Sequence, residues 1–154
     1  MLQDGMRGKY WDDLKVGQVF WSSGRTMTEH DLMEFAGLAG DFNPLHVDAQ
    51  YAKDSVFGER IPHGPLGLVF ALGGYDRIGL LEGVAVAFVS LSWRFLAPFR
   101  IGDTVRTKVT IKELKETNRP DRGMATLLVQ LVNQSDIVVQ EGEHIFMMLR
   151  RAEG

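Results

Sequence analysis

The chain contains no cysteine. That absence removes a disulfide framework, a thiolate zinc site, an iron–sulfur cluster and a cysteine nucleophile together. Charge of one sign is equally scarce: 17 Lys and Arg stand against 20 Asp and Glu, for a net charge of −3. Without a basic cluster there is no electrostatic footprint for nucleic acid, and no nucleic-acid partner is expected. Long apolar runs are missing too. The most apolar stretch, Pro65 to Tyr75, falls short of the roughly 20 residues that span a bilayer, so no membrane association is expected. The opening Met1 to Tyr10 has no basic segment followed by an apolar one, so no signal peptide is expected and Asn133-Gln134-Ser135 reads as a chance glycosylation match. Repeats, low-complexity segments and Pro/Gly/Ser linkers are likewise lacking. What remains is 154 residues, 45% hydrophobic and 24% charged, the proportions of one globular domain spanning 1–154 in the reduced cytoplasm.

The pattern divides the chain. Gln18 to Met27 predicts a first strand. Thr28 with Asp31 three residues on has nearly the form of a capping box, and Leu32, Phe35, Ala36 and Ala39 follow at helical spacing until Gly40 stops them. Pro44 predicts an irregular run from Asp41 to Val47, after which Asp48 caps a short helix reaching Lys53. Val56 to His63 reads as a loop. From Gly64 to about Ile78 the residues are apolar on all sides, which predicts a helix buried around its circumference. The second half alternates with period two: Val89 to Phe95, Val105 to Lys112, Met124 to Val132 and Ile137 to Leu149. Helices and strands are segregated, so the class is α+β. A curved antiparallel sheet wrapped around a central apolar helix, the hot-dog fold, gives that helix apolar surroundings, and its exposed edge favours a homodimer.

The chemistry concentrates in Gly40-Asp41-Phe42-Asn43-Pro44-Leu45-His46. A carboxylate and an imidazole five residues apart, on a segment stiffened by Pro44, supply two proton-transfer groups of different intrinsic pKa. Adding water to a double bond needs both: one proton leaves water as its oxygen attacks the β-carbon, and one reaches the α-carbon. Taken alone, the same pair also reads as an Asp that caps a turn and a His packed in a loop. His30, His46 and His63 with Asp41 or Asp48 lack the spacing of a metal-binding motif, and no metal is expected. Arg106, Lys108, Lys112 and Lys115 read as a solvated strand face, and the seven Met residues as core filler.

Phe35 through Ala52, F-A-G-L-A-G-D-F-N-P-L-H-V-D-A-Q-Y-A, resembles the signature of the MaoC-like dehydratase family, which includes the (R)-specific enoyl-CoA hydratases. Arg60-Ile61-Pro62-His63-Gly64 resembles the family's His-Gly at the start of the central helix, and Ser92 to Pro98 followed by Gly102-Asp103-Thr104 resembles the strand and turn beyond it. The likeness runs from about Val19 to Leu149. It implies Asp41 and His46 as the catalytic pair and the Gly64 backbone N–H as the oxyanion donor to a thioester carbonyl. A glycine opening a buried helix agrees with that role, since its N–H is unpaired and the backbone is approachable. Asn43 belongs to the signature; because an amide does not titrate, it is expected to hold the loop or orient Asp41 by hydrogen bonding, and His63 is expected to be structural. Val69 stands where several relatives carry a small polar residue, and Pro65 where Met is common.

The expected function is reversible hydration of a trans-2-enoyl-CoA to an (R)-3-hydroxyacyl-CoA, with coenzyme A, or acyl carrier protein, as part of the substrate and no separate cofactor. A hot-dog thioesterase would place an acid on the central helix, and none lies between Gly64 and Tyr75. A non-catalytic acyl-CoA-binding subunit would be natural if Asp41 or His46 were missing.

Overall fold

The computed structural model describes residues 5–151. Among them one antiparallel sheet forms in the order β1-β5-β6-β7-β3, built from Val19–Trp21 (β1), Thr104–Glu116 (β5), Arg122–Val132 (β6), Val138–Leu149 (β7) and Ala85–Leu91 (β3). Two short strands complete it: Arg25–Thr26 (β2) pairs with β5, and Arg94–Phe95 (β4) with β7. The helices are Glu29–Ala39 (α1), Pro44–Val47 (α2), Ala49–Lys53 (α3) and Gly64–Ile78 (α4). No described helix is long and apolar enough to cross a membrane.

α4 begins and ends where the sequence places it, from Gly64 to a left-handed C-cap at Gly79. Its inner flank, with Leu66, Phe70, Ala71 and Tyr75 buried, meets the alternating inward residues of β5 and β6, among them Val109, Ile111, Leu127 and Val129. This is the hot-dog arrangement. Burial is not circumferential, however: Pro65, Val69 and Gly73, four residues apart, form an exposed stripe on α4.

Two strands depart from the alternation. The first breaks at Ser22–Gly24 into β1 and β2, because the Ser22 hydroxyl, not a backbone carbonyl, accepts the Thr107 N–H at 2.8 Å. The strand expected over Val89 to Phe95 starts at Ala85 and breaks at Ser92–Trp93. At the break the chain crosses Gly142 so closely that a Cβ there would sit 1.8 Å from the Ser92 carbonyl oxygen. β3 shows no buried face: all seven residues are exposed, since it pairs only with β7 and forms the sheet's edge. On the outer face Arg106 pairs with Asp136, and Lys112 with Glu143, as a solvated face would. Met27 and Met148 lie in the core, whereas Met33 is exposed.

Candidate active site

Short polar caps shape the loop that carries Asp41 and His46. α1 starts on a reciprocal cap between Thr28 and Asp31 and ends at Gly40, whose φ of 69° reverses the chain. Asp41 Oδ1 then accepts the Asn43 N–H at 3.2 Å, and Asn43 Oδ1 accepts the Leu45 N–H at 3.0 Å. Pro44 does not make the run irregular. It occupies the first position of α2, where a missing N–H would have been unpaired anyway, and so starts a helical turn. Asp48 caps α3 through the N–H groups of Gln50 and Tyr51.

These turns bring Asp41, His46 and His63 together, each offering an oxygen or nitrogen within 4.8 Å of the others. His46 Nδ1 lies 2.7 Å from the Ile61 carbonyl. A carbonyl only accepts, so Nδ1 carries a proton, which in the neutral tautomer leaves the lone pair on Nε2. By the same logic His63 donates from Nε2 to the Asp41 carbonyl at 2.9 Å, with the Asp41 carboxylate 3.7 Å away. The two imidazoles stack with centroids 3.8 Å apart and planes inclined by 31°. His63 is buried, and the Phe35 ring lies against it with centroids 5.1 Å apart and planes inclined by 51°. By residue type the three side chains could together hold a cation, although the His63 nitrogen beside the carboxylate, Nε2, already donates to the Asp41 carbonyl. His30 stands apart on α1, exposed and beside Glu34.

His46 and Gly64 form one wall of a cleft of about 310 Å³ that also includes Phe57, Ile61, Phe95 and Gln140. Asp41 is not on that wall; its side chain is half exposed. Gly64 is the first residue of α4, the side chain of its N-cap residue His63 does not cap the helix, and its N–H meets no acceptor among the described residues. Its carbonyl, by contrast, accepts Gln140 Nε2–H at 3.1 Å, while Gln140 Oε1 accepts the Trp93 indole N–H at 2.8 Å. A second groove, of about 220 Å³, runs between α1 and α4 beside Phe35, Val69 and Phe70, with Arg25 and Asp31 at its wall. Asn43 is part of the loop's capping and points no titratable group at the site. Sequence reasoning missed Gln140 and Trp93. In a strand whose polar residues read as outward-facing, an inward amide leaves no local signal.

Residues 15–133 match the family model for a MaoC like domain. Over 153 residues the chain is 37% identical to the (R)-specific enoyl-CoA hydratase of Rhodospirillum rubrum, covering 98% of this chain and 99% of that protein. It is 33% identical over 150 residues to the 3-hydroxybutyryl-CoA dehydratase of Methylorubrum extorquens, covering 96% and 89%. The crystal structure of a MaoC-like dehydratase from Rhodospirillum rubrum superposes with a TM-score of 0.84 at 25% identity, over 95% of this chain and 100% of that one.

Proposed function

The chain belongs to the MaoC-like domain family, and from that membership we propose that it is a hydro-lyase: it adds water reversibly to a trans-2-enoyl-thioester, giving the (R)-3-hydroxyacyl product. The identity to an (R)-specific enoyl-CoA hydratase and to a 3-hydroxybutyryl-CoA dehydratase, each over nearly the whole chain, supports this activity. One observation carries the site: an imidazole whose Nδ1 is committed to the Ile61 carbonyl offers a ring nitrogen within 4.8 Å of a carboxylate oxygen. That gap suits a water hydrogen-bonded to both. Gly64, with its unpaired N–H, borders the same cleft as His46.

In the hydration direction His46 Nε2 takes a proton from this water as the oxygen attacks the β-carbon, and Asp41 orients the water by accepting its other hydrogen. The electron pair of the double bond moves toward the thioester carbonyl, where the Gly64 N–H meets the growing negative charge. A proton returned from the Asp–His pair to the α-carbon completes the product and restores the enzyme. His63 keeps the carboxylate in place by holding the Asp41 backbone and supporting the His46 ring. Asn43 keeps the turn between them rigid. No separate cofactor takes part; coenzyme A, or acyl carrier protein, enters as the thiol half of the substrate. The functional unit is a homodimer joined through the exposed β3 edge.

Asp41→Asn and His46→Gln should each lower the turnover of trans-2-butenoyl-CoA, followed by loss of absorbance of the conjugated thioester, by about 10²–10⁴-fold. Binding of butyryl-CoA, which has no double bond to hydrate, should survive both changes. Turnover within threefold of the unsubstituted enzyme in both variants would remove the pair from the mechanism.

A further inference from the structure

Gly64 is an awkward residue to leave at the head of a helix. Proline disfavours helical geometry in the residue before it, and Pro65 follows directly. Glycine adds its own backbone freedom. A donor that must stabilise a developing oxyanion has to be held on line before the reaction; the Leu66 N–H holds the His63 carbonyl of the same peptide unit at 3.0 Å, but the backbone on the other side of Gly64 needs a restraint of its own.

The restraint comes from β7. An irregularity in the β6–β7 pairing, where Leu131 faces Gln140 but Val132 faces Val138, leaves Val139 as an extra residue. A bulge of this kind re-aims the side chain next to it, and Val139 and Gln140 are consecutively buried, Gln140 at 2% exposure. The amide is fixed in one orientation. The Trp93 indole can only donate, so the atom 2.8 Å from it is the amide oxygen, and the nitrogen, 3.1 Å away from the Gly64 carbonyl, must donate there. Room has been left for it: a Cβ on Gly67 would lie 2.4 Å from both amide heteroatoms.

We propose that Gln140, oriented by Trp93, is a positioning residue for the oxyanion hole: by fixing the Gly64 carbonyl it sets the backbone rotation at Gly64 and so anchors the residue whose N–H points at the thioester oxygen. The inference rests on the hydratase reading above. Gln140 touches no reacting atom; it acts through Gly64.

The test compares the full-length enzyme with Gln140→Leu and Gln140→Glu. Gln140→Leu should lower kcat for trans-2-butenoyl-CoA by about 10-fold, less than the 10²–10³ seen when an oxyanion donor is removed outright, with KM changed less than twofold. Bound [1-13C]butyryl-CoA should show the direct signature. Its carbonyl stretch, lowered in frequency on binding the unsubstituted enzyme, should move back toward the free value in Gln140→Leu. A glutamic acid can accept from Trp93 and donate to Gly64 only while protonated, so kcat of Gln140→Glu should recover toward the unsubstituted value as pH falls, a limb the unsubstituted enzyme lacks. Trp93→Phe, which frees the amide to turn, covers the case in which Gln140→Leu does not fold and should shift the same carbonyl band in the same direction. A folded Gln140→Leu enzyme with unchanged kcat and an unchanged carbonyl band would overturn the proposal. If the unsubstituted enzyme hydrates no enoyl-thioester, it is the hydratase reading that fails.

Discussion

His144 shows what burial does to one titratable side chain. It projects inward from β7 with no exposure, against Tyr75, Phe88 and Trp93. Its Nδ1 meets the Tyr75 hydroxyl at 2.7 Å, and its Nε2 has no partner among the described residues. Burial holds its pKa down at about 4, from an ordinary 6.5. A group depressed on folding contributes stability that is complete above the unfolded pKa and is lost as pH falls through the folded one. The unfolded chain therefore takes up a proton near pH 6.5 that the folded chain refuses until about pH 4. Between pH 6.5 and 5 this costs about 1.5 kcal/mol of unfolding free energy. Urea unfolding across that interval should show the loss in the unsubstituted protein and a much flatter profile in His144→Gln; equal slopes would show that His144 titrates normally. Legibility at this scale follows sequence distance. The nearness of Asp41 and His46 could be read because one short segment carries both. The partners His144, Tyr75, Trp93 and Gln140, all but Trp93 buried, lie on β7, on α4 and at the break between β3 and β4, and meet only through the fold.

The contact of α4 with the sheet sets two neighbouring glycines apart. At Gly74 a Cβ would fall 2.1 Å from Thr107 Oγ1 and 2.3 Å from its Cβ, so the helix rests on β5 with no space to spare. At Gly73 the same atom would meet only the tip of Arg77, at 3.3 Å, on the exposed stripe. Gly74→Ala should therefore destabilise by about 1–3 kcal/mol through overpacking, while Gly73→Ala should stabilise by about 0.4–1 kcal/mol by reducing the freedom of the unfolded chain. Thermal melts that moved the same way in both variants would contradict this packing. The length of α4 was readable because its apolar run is bounded by glycines. Which side of it stays open was not, because a helix without a charged face until Asp76 gives no clue to direction. β6 and β7 could be read from alternation, which holds where a strand has a neighbour on each side. β3 has one neighbour, so its apolar residues report a contact that a single chain does not make.

That unmade contact bears on the whole molecule. Val86, Phe88, Val89 and Leu91 on the edge strand are each more than 40% exposed, and Phe95 and Leu96 just beyond continue the patch at 58% and 49%. An uncharged apolar edge of seven residues invites pairing with another chain, and a soluble protein seldom leaves such a patch bare. Antiparallel pairing of β3 with its symmetry copy would satisfy the open backbone groups and bury the side chains in one step, since a two-fold interface uses the same patch twice. Light scattering on the eluting peak should then give about twice 17.3 kDa. Val89→Lys puts a charge into this interface on both sides; at about 2 kcal/mol each, dissociation should become roughly a thousandfold easier. Phe95 and Leu96, part of this patch, also line the cleft beside His46 and Gly64, so dissociation would bare one side of the site. Any loss of turnover in Val89→Lys should therefore follow the fraction of dimer as concentration is varied. A monomeric unsubstituted protein at micromolar concentration would instead leave the β3 edge without the partner argued for it.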